Sequence, residues 1–207
     1  MSEIVIANTR PEHCAQLAIH QQLCFPTLAP EEWLTEEQFL AHIALFPEGQ
    51  HVALDGKRVV SQSSTFRIGA AVFEPHTFME IMGRGFFTNH DPQGEWLYGA
   101  DMSVNPEYRG RKLSRLLYDA RKALIGRLDM RGMVAGGMIP GYLNHRGEMS
   151  VEAYVGAVVA GELADPTLTP QLRAGFTVRG ILYDYIEAGE LGNDSTLIVW
   201  ERPEAGG

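Results

Sequence analysis

The chain has 207 residues, 45% hydrophobic and 21% charged, with a formal net charge of −9. That composition suits one soluble domain with a sizeable core, and no window approaches the ~18 consecutive apolar residues of a transmembrane helix. A sequence pI near 5.2 argues against nucleic acid or an anionic membrane as partner, because both require a broad basic face. The start, Met1-Ser2-Glu3-Ile4-Val5-Ile6, is acidic and strand-like, which is wrong for a signal peptide. Cys14 and Cys24 have neither C-x-x-C spacing nor a nearby His pair, so they read as reduced packing residues, and the cytoplasm is the expected compartment. No metal site is expected.

Residues 3–8 predict a first strand. Thr9 is placed to cap a helix running to about Cys24 that buries Cys14, Leu17, Ala18 and Leu23, and Pro26 and Pro30 break it. Thr35-Glu36-Glu37-Gln38 ahead of Phe39, Leu40 and Ile43 is a capping-box signature for a second helix ending at Pro47. A hairpin follows, His51–Leu54 and Arg58–Thr65 about Asp55-Gly56. Phe78–Met82 predicts a short helix, and Asn89–Gly94 a turn. Trp96–Val104 is a central strand, and the helix after it places Leu113, Leu116, Leu117, Ala120 and Leu124 on one face. Gly132–Ile139 reads as a buried strand. Ser150 caps a helix to about Ala160, a further helix begins near Thr169 and stops at Gly175, and strands over 177–186 and 195–200 close the domain.

The most informative stretch is 104–117. A strand ends at Val104, Asn105-Pro106 turns, and a basic corner with one glycine opens a long helix. Backbone N–H groups at such a start are unpaired, and the helix dipole favours negative charge there. Eight of the seventeen Lys and Arg residues lie between Arg109 and Arg131, so an acidic protein carries one concentrated basic corner fit for a small polyanion. The plainer reading of Arg111, Lys112 and Arg115 is a solvated helix face.

Arg109-Gly110-Arg111-Lys112-Leu113-Ser114 resembles the R/Q-x-x-G-x-G/A acyl-CoA pyrophosphate loop of the GNAT acetyltransferase superfamily, with Lys112 and Ser114 in place of the two later glycines. The order β-α-α-β-β-β-α-β-α-β-β resembles that fold too, and Gln171-Leu172-Arg173-Ala174-Gly175-Phe176 is similar to its Y-E-K-x-G-F segment, with Gln171 where many members have tyrosine. Leu97–Val104 with Val134–Tyr142 resembles a bacterial GNAT subgroup whose domain is sometimes fused to a carbon–nitrogen hydrolase. No hydrolase sequence accompanies this module, so it is expected to stand alone as a single domain over 1–207.

The resemblance implies an α/β fold, a central mixed sheet with helices on both faces. The stretch 140–168 is longer than the connection in the commoner family pattern; it is expected as a helical insertion covering the acceptor side, with a dimer contact or a packing decoration as the alternatives. The resemblance also implies transfer of an acetyl or other short acyl group from acetyl-CoA or a related acyl-CoA to an amine. Main chain at Met102 and Val104 is expected to pair with the pantetheine arm, and Arg109, Gly110, Arg111, Lys112, Leu113 and Ser114 to receive the pyrophosphate. Gln171 is expected beside the donor, able to donate a hydrogen bond to a thiolate but unable to transfer a proton. Tyr142 stands as either the acid or a packing residue, with His145 behind it. Asp101, an acid in an apolar strand, reads either as the base or as a structural hydrogen-bond acceptor, and Glu80, Glu95 and His90 are weaker alternatives. A non-catalytic acyl-CoA-binding module, or a scaffold for a separate hydrolase, is the rival reading. An apolar sheet edge near 177–186 makes a homodimer conceivable.

Overall fold

The computed structural model describes residues 3–203. Met1 and Ser2, part of the strand-like start, and the last four residues of the single-domain span lie outside them. One seven-stranded sheet, in the order β1-β2-β3-β4-β5-β7-β6, organises the described residues. Its strands are β1 (Ile4–Asn8), β2 (His51–Asp55), β3 (Arg58–Ile68), β4 (Trp96–Val104), β5 (Gly132–Met138), β6 (Thr177–Leu182) and β7 (Ser195–Glu201). All pairs are antiparallel except β4 with β5. The sheet is mixed and carries helices on both faces, as the fold resemblance implied.

Helices α1 (Pro11–Cys24), α2 (Glu36–Leu45) and α3 (Phe78–Ile81) pack on one face, where Cys14, Leu17, Phe39 and Phe78 meet Tyr98, Val134 and Leu197. Helices α4 (Leu113–Arg127), α5 (Val151–Ala160) and α6 (Leu168–Arg173) pack on the other. There Leu124, Val155 and Leu168 meet Leu97, Met133 and Ile198. Alternation of side chains along β4 and β5 is what divides the two cores.

Several local expectations are corrected. Arg10, not Thr9, caps α1, and its N–H is accepted by the His13 ring 3.0 Å away. Leu23 is exposed and Ala18 half-buried. The inward face of α1 is polar instead, carrying His13, His20 and Gln21 beside Cys14, Leu17 and Cys24. The hairpin turns at Gly56-Lys57, with Asp55 still paired to Arg58; Gly56 has φ 61°, which only glycine adopts without strain. Leu116 is exposed, and Arg121 rather than Ala120 completes the inner face of α4. β6 ends at Leu182, so Tyr185 and Ile186 belong to the connection that follows. The expected capping box at Thr35–Gln38 is present, and a second, at Thr77–Glu80, opens α3.

Candidate active site

β4 and β5 are paired at only three positions, Trp96–Tyr98 with Gly132–Val134. Beyond Tyr98 they part, and the wedge between them opens into a cavity of about 720 Å³ that reaches from the start of α4 to the connection after β6. Unpaired main chain of β4 and β5 faces this wedge. Gly136 and Gly137 keep the β5 wall low. A Cβ on Gly136 would lie 2.5 Å from the Tyr185 hydroxyl, and one on Gly137 would lie 2.7 Å from Gln171 Oε1.

At the α4 end the chain turns at Asn105, whose Oδ1 accepts from the Glu107 N–H at 3.0 Å. Among the described residues, the N–H groups of Gly110 through Ser114 have no acceptor within the protein. Gly110 takes φ 78° and Lys112 φ 62°. Lys112 thus holds a left-handed conformation costing an L-residue about 1 kcal/mol, at the position where the family motif has glycine. Arg109, Gly110, Lys112, Leu113 and Ser114 line the cavity. The Leu113 side chain is buried with Val60 and Tyr108, leaving its backbone as the group available to a ligand. Arg111 does not line the cavity; its guanidinium lies 4.6 Å from the Tyr108 ring centroid.

A β-bulge shapes the centre. Register shifts between Ser64 and Thr65, which pair with Asp101 and Gly99, so Ala100 is the extra residue. The extra residue reverses the alternation: Asp101 and Ser103 face α1, while Met102 and Val104 face the α4 side. Arg121 holds the bulge. Its guanidinium donates to Asp101 O at 2.6 Å, to Ser64 O at 3.2 Å and to Ser63 Oγ at 2.6 Å. A Cβ on Gly99 would lie 2.6 Å from the same guanidinium. Burial lowers the Arg121 pKa to about 10, so it remains charged at neutral pH.

Asp101 lines the cavity, and its Oδ2 accepts from the side-chain amides of Gln21 and Gln62. Burial raises its pKa to about 6; the Gln21 bond, the Arg121 charge and the Gln62 bond oppose the rise without cancelling it. A carboxylate of that basicity is ionised at neutral pH and accepts a proton more readily than an ordinary aspartate. Gln171 is buried on the cavity wall with its Oε1 unpartnered.

Tyr142 lies outside the cavity lining. Its hydroxyl donates to Met149 O at 3.1 Å and its ring packs on Tyr154, which is the packing role. His145 packs, tilted, against the same Tyr154 ring. Glu80 is tied into the α3 capping box, Glu95 pairs with Arg131 and the His90 ring accepts from Arg67 N–H; none lines the cavity. From the 140–168 segment, Pro140, Pro166 and Thr167 reach the cavity, whereas α5 packs on the α4 face. Asp165 ties the segment together by accepting from Gly141 N–H and Tyr154 O–H, both at 2.9 Å.

Four groups escaped the sequence reading. Arg121 was counted with the basic corner but is fully buried. Gln21, Gln62 and Tyr185 come from segments with no motif; the unexpectedly polar inner face of α1 was the one available signal. Among the described residues there is no cluster of three His, Cys, Asp or Glu side chains able to hold a metal ion, and no helix is long and apolar enough to cross a membrane.

No family-wide sequence profile matches the chain. It is 34% identical over 202 residues to the probable hydrolase YhcX of Bacillus subtilis (strain 168); the match covers 97% of this chain and 39% of that protein, so the chain spans about two fifths of its length. The structure of the GNAT-like decarboxylase GphF in complex with isobutyryl-CoA superimposes with a TM-score of 0.80 at 21% identity, covering 95% of this chain and 98% of that one. The uncharacterised N-acetyltransferase YkwB, also of Bacillus subtilis, is 32% identical over 204 residues, covering 96% of this chain and 89% of that protein. Sequence, fold and the wedge between β4 and β5 agree: the chain belongs to the GNAT acetyltransferase superfamily.

Proposed function

We propose that the protein transfers an acetyl or other short acyl group from CoA to an amine. The observation that carries this is the single cavity joining the free N–H row at the start of α4 to Asp101. The N–H groups of Gly110–Ser114, with Arg109 and Lys112, receive the pyrophosphate, where helix dipole and side-chain charge act together. Main chain at Met102 and Val104, left unpaired by β5, bonds the pantetheine arm as a strand would. The orphaned Gln171 Oε1 accepts from a pantetheine amide N–H, which removes the penalty of a buried unpaired acceptor.

The bound thioester supplies the electrophilic carbonyl. Asp101, turned toward α1 by the bulge, takes the proton that the amine nitrogen loses as it bonds to that carbon. Asp101, directly or through water, returns a proton to the departing thiolate. The acceptor therefore enters from the α1 face and the donor from the α4 face, and they meet in the wedge. The compartment we assign is the cytoplasm, which suits the free thiols of Cys14 and Cys24. The edge strand β6 offers the surface for a homodimer, which sedimentation tests.

The test is calorimetry of acetyl-CoA binding by cofactor-free protein, followed by thiol release on an amine panel. Micromolar affinity, about −8 kcal/mol, should weaken by about tenfold or more in Arg109→Ala and in Gly110→Pro. Absence of wild-type binding would overturn the reading. Carbon dioxide released from malonyl-CoA without free thiol would redirect it to decarboxylation, an outcome the Asp101 carboxylate disfavours by repelling an acyl carboxylate.

A further inference from the structure

Behind the acceptor side of the cavity lies a row of three titratable side chains that the transfer scheme above does not use. Tyr185 lines the cavity and presses its hydroxyl against the bare backbone of Gly136. Its oxygen is 2.7 Å from the Tyr98 hydroxyl, and both tyrosines are buried. The Tyr98 hydroxyl is 3.3 Å from His76 Nε2, and His76 is partly exposed. His76 Nδ1 lies 2.8 Å from Glu74 O.

Donor and acceptor roles in this row follow from the carbonyl at its far end. Glu74 O can only accept, so Nδ1 carries the proton, and in a neutral imidazole Nε2 is then an acceptor. Tyr98 donates to Nε2 and therefore accepts from Tyr185. The Tyr185 proton points away from the cavity, and its oxygen presents only lone pairs to whatever enters.

The proposed reaction has a proton to dispose of. An amine arrives at neutral pH as an ammonium ion, and R–NH₃⁺ plus acyl-S-CoA gives the amide, HS-CoA and one H⁺. One ammonium proton must leave before nitrogen can attack. A second passes to Asp101 on attack, and the thiolate takes one back. One proton per turnover must reach solvent.

Resting on the acyl-transfer reading, we propose that Tyr185, Tyr98 and His76 form the relay that carries the ammonium proton from the acceptor site to solvent. An N–H bond of the ammonium breaks as Tyr185 oxygen accepts its proton. Tyr185 passes its own proton to Tyr98, Tyr98 passes its own to His76 Nε2, and the imidazolium gives up a proton to water. Each oxygen gains one O–H bond and loses one, so both phenols end neutral. Tyr185 is the catalytic member because it touches the substrate; Tyr98 and His76 act through it. The groups facing His76 are Glu80 on α3, Tyr98 on β4 and Tyr185 after β6, and Glu80 is the one charge among them. Glu32, which also lines the cavity, faces Tyr185. Both carboxylates favour a proton moving along the row. Burial lowers the His76 pKa, so the imidazole rests neutral and its imidazolium gives up a proton to water readily.

The test uses the full chain in two measurements. Nitrogen NMR of isotopically labelled histidine should show His76 protonated on Nδ1 at neutral pH, with a titration curve displaced in Tyr98→Phe. Turnover of wild type, Tyr98→Phe, Tyr185→Phe and His76→Ala is then followed between about pH 6 and 9. Loss of about tenfold or more in kcat is expected in each variant, with acetyl-CoA affinity unchanged, and added imidazole should restore part of the loss in His76→Ala alone. A His76 protonated on Nε2, or wild-type kcat in Tyr98→Phe across that range, overturns the relay. Should wild type bind acetyl-CoA yet transfer nothing, the acyl-transfer reading falls, and the tautomer together with the Tyr98→Phe titration still decides the row.

Discussion

The two halves of the cavity are built by opposite means. The α4 half is made of backbone: N–H groups at one helix start, two positive-φ residues, and strand edge that β5 leaves open. The α1 half is made of side chains, with Gln21, Asp101 and Tyr185 arriving from three separate segments and Gln62, outside the lining, donating to Asp101 from a fourth. In the reading proposed above, backbone groups bind what every acyl-CoA shares, whereas side chains select the acceptor and move its protons. One half can therefore be common to a superfamily while the other differs from member to member.

The sharpest break between the halves is Asp101→Asn. It should lower kcat/KM by about 10²–10³-fold while leaving acetyl-CoA affinity unchanged, because the general base is removed and the donor side is not. Steady-state kinetics beside calorimetry checks both parts. In wild type the acid limb of kcat/KM should fall near pH 6, since the ionised carboxylate is the active form.

Arg121→Met tests the residue that joins the halves. Three acceptors lose their donor and the bulge loses its clamp, so unfolding free energy should drop by about 2–4 kcal/mol in urea melts. The lost cation should also move the acid limb upward, because Arg121 opposes the rise in the Asp101 pKa. An unchanged acid limb in a folded variant would remove Asp101 as its source.

Acid should weaken the α1 half. His20 and His42, both on that face, are held near pKa 4 mainly by burial. Between about pH 6.5 and 4 the unfolded chain binds protons that the folded one refuses, so stability falls as pH falls, by up to about 3 kcal/mol for His42. Asp101 acts in the opposite sense. The folded state holds its proton up to about pH 6, while an unfolded aspartate loses it near about 3.9, so stability from this group declines as pH rises through that window. Amide exchange should show α1 and α2 loosening before α4 as the pH falls.

The smallest effect belongs to the α4 half. Lys112→Gly should stabilise the protein by about 1 kcal/mol or somewhat less, since glycine adopts the left-handed backbone freely but adds entropy to the unfolded chain. A thermal melt checks it, while acetyl-CoA affinity should weaken severalfold, because the N–H row is kept but one cationic side chain of the proposed pyrophosphate site is lost.

Much of the fold was legible because its signals are local. The Thr35–Gln38 capping box, the hairpin and the strand–turn–helix at 96–127 each act over a few residues, and each of these elements formed, the hairpin turn one residue later than expected. The errors fell where tertiary contacts decide. Thr9 gave way to Arg10 because His13 takes the cap N–H, and Leu23 stayed outside because Cys24 and Gln21 face the cavity.

By itself, the sequence determined where the helix start with its free N–H row lies, the site we propose for an anion. That site is main chain at a helix start, and neighbours in sequence suffice to build it. It also brought Asp101 forward as a polar exception in an apolar strand. Only the tertiary structure decided which way Asp101 points, because a bulge held by Arg121 sets the face. It alone decided what surrounds that carboxylate: Gln21 is 80 residues away along the chain, and Tyr98 meets Tyr185 across 87. No local pattern encodes such pairs, since hydrogen bonds between distant side chains form only once the sheet has brought their backbones together.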